Sequence, residues 1–361
     1  MSKALIAMSG GVDSSVAAKL MCDAGYECIG CTMKLFDADD GSIDDAEIIT
    51  AAKTCCSADD TADARSVAMR LGMPFYAFNF KDEFREKVID DFVCAYLCGR
   101  TPNPCIECNH YLKFDKLFDR ARILGCEYIV TGHYARIEER DCEMVLLKGA
   151  DPLKDQSYVL YMLSQQQLSQ IRFPLGNLDK NHVREIAQEN GFINAAKPDS
   201  QDICFVPDGD YASVVKKYSH ADIPEGNFVD MSGKVLGRHK GIIYYTIGQR
   251  RGLGIPAASP LYVVRIDTKR NEVVLGSNDD LFSREVYADE MSCTSDRGFP
   301  AQLRCSARIR YHHKEQPGTL CREDSGFRFV FDEPQRAITA GQSIVLYDGD
   351  RVLGGGRILG S

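Results

Sequence analysis

Met8-Ser-Gly-Gly-Val-Asp-Ser-Ser15 follows an apolar run, Ala4 to Ala7, and leads into Val12 to Ala24, where Val16, Ala17, Leu20 and Met21 recur at helical spacing. The run reads as a short buried strand and the second stretch as an amphipathic helix, so the octapeptide is a tight strand–helix turn. Gly10 and Gly11 let the backbone turn and approach a ligand with no Cβ in the way. Ser14 and Ser15 set hydroxyls beside the N–H groups left unpaired at the helix start, a natural anion site. No Gly-Lys-Ser/Thr ending follows, so a lysine-bearing γ-phosphate cradle is not indicated.

Working outward, the first 150 residues alternate apolar runs (Ala4–Ala7, Glu27–Met33, Pro74–Phe80, Tyr128–Thr131) with helical patterns (Asp45–Lys53, Thr61–Leu71, Asp82–Cys98, Tyr111–Leu124). That alternation predicts an α/β fold with a parallel sheet covered by helices on both faces. Ligands then sit beyond the C-terminal strand ends, bringing Ser9, Met33, the residues after Phe80 and Gly132-His133 to one crevice. Residues 155–191 stay helical in pattern, clearest at Ser157–Leu163 and Asn181–Asn190. Past a break at Ala195–Asp202 come a helix at Asp210–Tyr218 and brief strands at Asn227–Asp230, Lys234–Leu236 and Ile242–Thr246. Beyond Phe282 the runs Arg304–Arg310, Phe327–Phe331, Ala337–Thr339, Ser343–Tyr347 and Arg351–Gly355 predict a small β-barrel. The domains expected are 1–206, a small mixed one at 207–281, and the barrel at 282–361.

With 361 residues, 44% hydrophobic and 26% charged, the chain has the composition of a soluble globular protein. No apolar run approaches the roughly 18 residues of a membrane span. The start runs straight into a core strand, so no signal peptide is expected. Fifteen cysteines without an export signal predict a cytoplasmic protein whose thiols serve metals or catalysis. The net charge of −9 looks unsuited to a nucleic-acid partner. Yet residues 37–63 hold nine acids against Lys53, a net of −8, and leave the remainder free to carry basic patches. That acidic stretch, with Cys55-Cys56, reads as a solvated lid or helix.

A second informative stretch is Gly99-Arg-Thr-Pro-Asn-Pro-Cys-Ile-Glu-Cys-Asn109. Its prolines end the preceding helix and stiffen the loop, holding Cys105 and Cys108 in a C-x-x-C. A third cysteine, Cys204, lies in Asp199-Ser-Gln-Asp-Ile-Cys-Phe205. Redox pair, metal site, nucleophile and chance all remain open for the pair taken alone.

The octapeptide resembles the SGGxDS pyrophosphate loop of the ATP pyrophosphatases, which split ATP into AMP and pyrophosphate while adenylating a substrate. Together with Arg100-Thr-Pro-Asn-Pro104 and Cys108-Asn109, Thr131-Gly-His-Tyr-Ala-Arg136, Lys154-Asp-Gln-Ser-Tyr158, Ile203-Cys-Phe205 and Tyr245-Thr-Ile-Gly-Gln-Arg-Arg-Gly-Leu253, it resembles the bacterial tRNA-specific 2-thiouridylases over essentially the full length.

The resemblance implies ATP with its phosphates on Ala7, Met8, Ser9, Gly10, Gly11, Val12, Asp13 and Ser14, its adenine near Met33 and Gly132, and magnesium on the phosphates. The wobble uridine of tRNAs for lysine, glutamate and glutamine would be turned out of its loop. Its O2 would attack the α-phosphate and release pyrophosphate. The resemblance makes Cys204 the persulfide carrier and Cys108 the nucleophile that leaves a Cys108–Cys204 disulfide. It implies target-base contacts at Asn103, Pro104 and position 105, and tRNA contacts at Lys154, Asp155 and Gln156. Many family members have Asp where this chain has Cys105. A second reading therefore lets Cys105, Cys108 and Cys204 hold three irons of a [4Fe–4S] cluster. The partners implied are tRNA and a cysteine desulfurase or sulfur-relay protein, with the enzyme acting as a monomer.

His133 reads equally as a nucleotide contact or as a hydrogen bond at the strand end. Arg308-Ile-Arg-Tyr-His-His-Lys314 alternates like a strand, which would set Arg308, Arg310 and His312 on one face, with Arg310 and Tyr311 as tRNA contacts. Gln249-Arg-Arg251 is a further candidate clamp. Another adenylating synthetase on the same loop would need an amine acceptor and has no use for Cys108 and Cys204.

Overall fold

The computed structural model describes residues 1–36, 58–198, 203–206, 209–324 and 326–361. Strand β1 (Lys3–Ala7) ends where the glycines begin, and helix α1 (Val12–Asp23) starts immediately after them. β1 lies between β2 (Glu27–Lys34) and β4 (Tyr128–Val130), and β3 (Phe75–Asn79) flanks β2, all parallel. The alternation of β1 sends Leu5 to one face of the sheet and Ala4 and Ile6 to the other. On the Leu5 face pack the helices spanning 81–97 and 104–123. On the Ile6 face pack α1, helix α2 (Ala58–Arg70) and the helix Lys180–Glu189.

Within residues 155–191 the helical expectation holds only in pieces. Ser157–Leu160 is a 3-10 turn, Gln165–Gln170 is α-helical, and β7 (Ile171–Arg172) adds a fifth parallel strand beside β4. A two-residue strand is too short for any periodicity to announce it. The expected helix at Asp45–Lys53 and the pair Cys55-Cys56 lie outside the described residues.

The hairpin of β5 (Ala135–Arg140) and β6 (Glu143–Lys148) leaves the parallel sheet and touches the last strand of the barrel, where Arg351 pairs with Leu147. Helix Tyr211–Tyr218 precedes a mixed four-stranded sheet of β8 (Gly226–Asp230), β9 (Val235–His239), β10 (Tyr262–Asp267) and β11 (Glu272–Gly276). Ile242–Tyr244, expected as a strand, is a 3-10 turn entered through Gly241 at φ 124°.

The C-terminal strands are β12 (Phe282–Cys293), β13 (Gln302–Arg308), β14 (Gln316–Glu323), β15 (Gly326–Arg336), β16 (Ser343–Asp348) and β17 (Arg351–Gly360). Pairing of β12 with both β15 and β17 closes these six into a barrel, so no edge is left exposed. Two expected runs are corrected. β13 stops at Arg308, so residues 309–312 turn instead of continuing the alternation. Ala337–Thr339 is a connection in which Ala337 takes φ 54°.

Candidate functional site: a phosphate loop and a cysteine loop

The octapeptide crosses from β1 to α1 with Gly10 at φ 76°, the left-handed region that suits glycine. A Cβ there would come 2.3 Å from the Asp60 carbonyl oxygen, so α2 presses directly on the loop. The Met8 N–H donates to Cys31 O at 2.7 Å and anchors the start of the loop to the end of β2. Inside it, the Ser9 N–H donates to Ser14 Oγ at 3.2 Å, and the Ser14 and Ser15 hydroxyls donate to Gly11 O at 3.1 and 3.0 Å. Tied in this way, the loop presents the first N–H groups of α1 at the strand ends. Gly132, after β4, closes the far side: a Cβ on it would meet the Asp13–Ser14 peptide at 2.8 Å.

Four side chains with no assigned role in the sequence reading bind this loop. Tyr134 donates its hydroxyl to Asp13 Oδ1 at 2.8 Å, and Lys180 Nζ meets the same oxygen at 2.7 Å. Lys197 Nζ bridges Asp60 at 2.6 Å and Asp63 at 2.7 Å and reaches Gly10 O at 3.4 Å. Asn194, buried at 3% exposure, donates from Nδ2 to both Gly10 O and Ser15 Oγ at 2.9 Å. Tyr134 was visible within its motif. The other three come from residues 180–197, and nothing local in their sequence points to residues 10–15.

The cysteine loop is built differently. Asn103 caps a helical turn at Pro104–Glu107, its side chain accepting from the Cys105 N–H at 3.2 Å, with Pro104 at the first position. Cys108 opens a π-helical stretch, Cys108–Lys116. The flanking residues are gripped from elsewhere. Thr101 N–H donates to Ala340 O at 2.8 Å, and Gln342 Nε2 donates to Thr101 O at 2.8 Å. Gly99 lies against Ile266 and Thr268 of the central sheet. Arg357 of β17 binds Glu107 at 2.9 Å, Asp91 at 3.2 Å and Glu290 at 3.2 Å. Burial pushes the Glu107 carboxyl up despite that guanidinium.

Cys108 and Cys204 pack on one apolar cluster on the Leu5 face, together with Ala7 and Met33. Phe205 wedges edge-on against Phe84 and Phe92 and seats the Cys204 segment there. Cys105 is exposed, whereas Cys108 and Cys204 are partly buried. Among the described residues no three His, Cys, Asp or Glu side chains gather into a metal-binding set.

Asp155, expected as a tRNA contact, is buried. Its carboxylate accepts from the Gly149 and Ser157 N–H groups, both at 3.1 Å, from the Ser157 hydroxyl at 3.0 Å and from Arg308 at 3.1 Å. Gln156 Oε1 accepts from the Tyr134 N–H at 3.0 Å, and Lys154 sits half-buried beside them. Tyr311 donates to Asp155 O at 3.3 Å, and burial, reinforced by the Asp155 carboxylate, pushes the Tyr311 phenol up to about 12. Arg310 turns inward to Ala337 O and Thr339 Oγ1. The structure thus brings Cys105, Asp155 and Tyr311 together, while Arg310 holds the barrel connection. His133 is buried, with Nδ1 2.7 Å from Thr131 Oγ1. Burial pulls its imidazole well below the usual range, which suits a neutral ring.

Three family descriptions match the chain in order: a tRNA methyl transferase HUP domain at residues 2–208, a tRNA methyl transferase PRC-barrel domain at 212–277, and an aminomethyltransferase β-barrel domain at 283–358. A tRNA-specific 2-thiouridylase MnmA of Clostridioides difficile is 51% identical, with 99% of this chain and 98% of the relative aligned. The chain belongs to the tRNA-specific 2-thiouridylase family. Another member, MnmA 1 of a Thermoanaerobacter species, is 49% identical over 99% of this chain and 97% of its own. An NMN synthetase structure from Francisella tularensis is more distant, at 16% identity and TM-score 0.33 over 62% of this chain and 79% of that one. No helix among the described residues is long and apolar enough to cross a membrane.

Proposed function

We propose that this chain is an ATP-dependent tRNA-uridine 2-sulfurtransferase, in which the phosphate loop activates the base and Cys204 and Cys108 deliver sulfur to it. The observation that supports this most is that Ala7, Met33, Cys108 and Cys204 all pack against the same apolar cluster.

In this reading ATP lies with its phosphates on Ala7–Ser14 and its adenine near Met33 and Gly132. Uridine O2 attacks the α-phosphate, pyrophosphate leaves, and the C2 oxygen becomes part of AMP, a far better leaving group. When bound, magnesium would neutralise charge on the phosphates. A persulfide on Cys204, loaded by a donor protein, attacks C2. AMP departs from C2, and Cys108 then attacks Cys204 Sγ, breaking its bond to the outer sulfur, so that the Cys108–Cys204 disulfide forms and the outer sulfur stays on the base as 2-thiouridine. Two electrons from an external thiol restore the pair. Asn103, Pro104 and Cys105 face the extruded base in this scheme, and Lys154, Gln156 and Tyr311 contact the tRNA. Asp155 and Arg310 are assigned to shaping that surface, since both are engaged within the protein.

Pyrophosphate release is the test. We expect it to require a tRNA with uridine at the wobble position and to be insensitive to ammonia or aspartate. Release driven by an amine without tRNA would overturn the assignment.

A further inference from the structure

The Gly10–Gly11 peptide unit is planar and trans, so its carbonyl and N–H point in opposite directions. Whatever fixes the carbonyl therefore aims the Gly11 N–H. Asn194 Nδ2 holds Gly10 O at 2.9 Å, and Lys197 Nζ approaches the same oxygen at 3.4 Å. The Gly11 N–H is turned the other way, toward the phosphate side, where Ser9 Oγ accepts it at 3.4 Å. The same Asn194 amide donates to Ser15 Oγ, whose hydroxyl in turn donates to Gly11 O at 3.0 Å. Both carbonyls at the turn are thus drawn toward the protein.

The orientation of the Asn194 amide follows from its partners. Gly10 O can only accept, so it must face the NH2 group. That leaves Asn194 Oδ1 buried with no hydrogen-bond partner among the described residues. A buried acceptor without a donor is unfavourable. The side chain serves the loop at the expense of its own satisfaction, which is a mark of function more than of stability.

From this geometry, and resting on the reading that residues 7–14 hold the ATP phosphates, we infer that Asn194 is a positioning residue for adenylation: it pins the Gly10–Gly11 peptide so that the Gly11 N–H faces the phosphates. It touches no reacting atom. Asn194 and Lys197 also stand ten and seven residues before Cys204, so the stretch that carries sulfur also sets the loop that cleaves ATP.

Asn194→Leu tests the inference, because leucine matches the shape and removes the donor and the orphaned acceptor together. A purely structural asparagine would show itself in thermal stability and in tRNA affinity. The positioning role predicts instead that kcat/KM for ATP in tRNA-dependent pyrophosphate release falls roughly 10- to 100-fold, in the range set by losing one anion-site donor. Melting temperature and tRNA Kd should stay near wild type. Adding Ser15→Ala should cost little more in the Asn194→Leu background than it removes from a loop already released. ATP kinetics within twofold of wild type, or effects of Asn194→Leu and Ser15→Ala that multiply independently, would overturn the inference. Should Asn194→Leu fold poorly, Lys197→Gln is read in the same assay, with an expected loss in kcat/KM for ATP at unchanged tRNA Kd. Amide exchange of residues 7–15 in the wild-type protein separates the two readings. If ATP leaves that segment unprotected, the loop assignment itself fails. If ATP protects it and the variants keep wild-type kinetics, only the role of Asn194 falls.

Discussion

The phosphate loop and the cysteine loop both lie beyond the sheet, but they are held in opposite ways. Residues 8–15 are fixed within the N-terminal domain, by their own serines, by the pressure of α2 at Gly10, and by Tyr134, Lys180, Asn194 and Lys197. Residues 99–108 are fixed from both of the other parts of the chain: by Ala340, Gln342 and Arg357 from the barrel and by Ile266 and Thr268 from the central domain. Activation of a base by ATP needs only a nucleotide domain. Placing sulfur at one atom of a tRNA needs the whole molecule, which explains why the barrel reaches back to the residue beside Cys108.

The sharpest way to separate the two loops is Cys204→Ser. It should abolish 2-thiouridine formation and leave tRNA-dependent pyrophosphate release intact, as read by product mass and pyrophosphate assay. Gly10→Ala attacks the other loop. Its Cβ would strike the Asp60 carbonyl at positive φ, so we expect a loss of about 2–4 kcal/mol in denaturant unfolding, with ATP affinity falling alongside.

Arg357→Met should act on the cysteine loop and spare the phosphate loop. Breaking this partly buried set of ion pairs should cost about 2–3 kcal/mol, below the figure for a fully buried pair because the guanidinium keeps some water. Thiolation should fall more than pyrophosphate release does. Burial already holds the Glu107 carboxyl above its usual value, so the folded variant binds a proton more readily than the unfolded chain. Its stability should recover as pH falls through the carboxylate range, the opposite of ordinary acid denaturation.

The smallest expected effect is at His133. Its pKa is depressed in the folded state, so its contribution is complete above the unfolded value of 6.5 and is lost as pH falls below it. That single group contributes a slope of at most about 1.4 kcal/mol per pH unit. His133→Asn should flatten the stability profile in that window; an unchanged profile would mean that the ring is already charged.

The sequence revealed whatever was local. β1, the glycine turn and α1 carry their periodicities in a dozen contiguous residues, and the Pro-Asn-Pro loop announces its own stiffness. The barrel was readable as a class because its runs are short and bounded by turns, although β12 and β14 escaped notice. β7 escaped because its two residues sit in a helical context. Nothing in the polar sequence around Asp155 announces that it is buried. Its burial depends on Arg308, 153 positions away. Asn194 and Lys197 were silent for the same reason: a lone amide and a lone ammonium acquire meaning only when the fold lays them on Gly10.

In the proposed reaction, ATP cleavage between the α- and β-phosphates activates the base that sulfur then attacks. Counting pyrophosphate and 2-thiouridine in one reaction, with a persulfide donor and wobble-uridine tRNA, tests it most directly. One pyrophosphate and one AMP are expected for each 2-thiouridine. Thiolation without pyrophosphate, or with ADP and phosphate as the products of ATP, would contradict it.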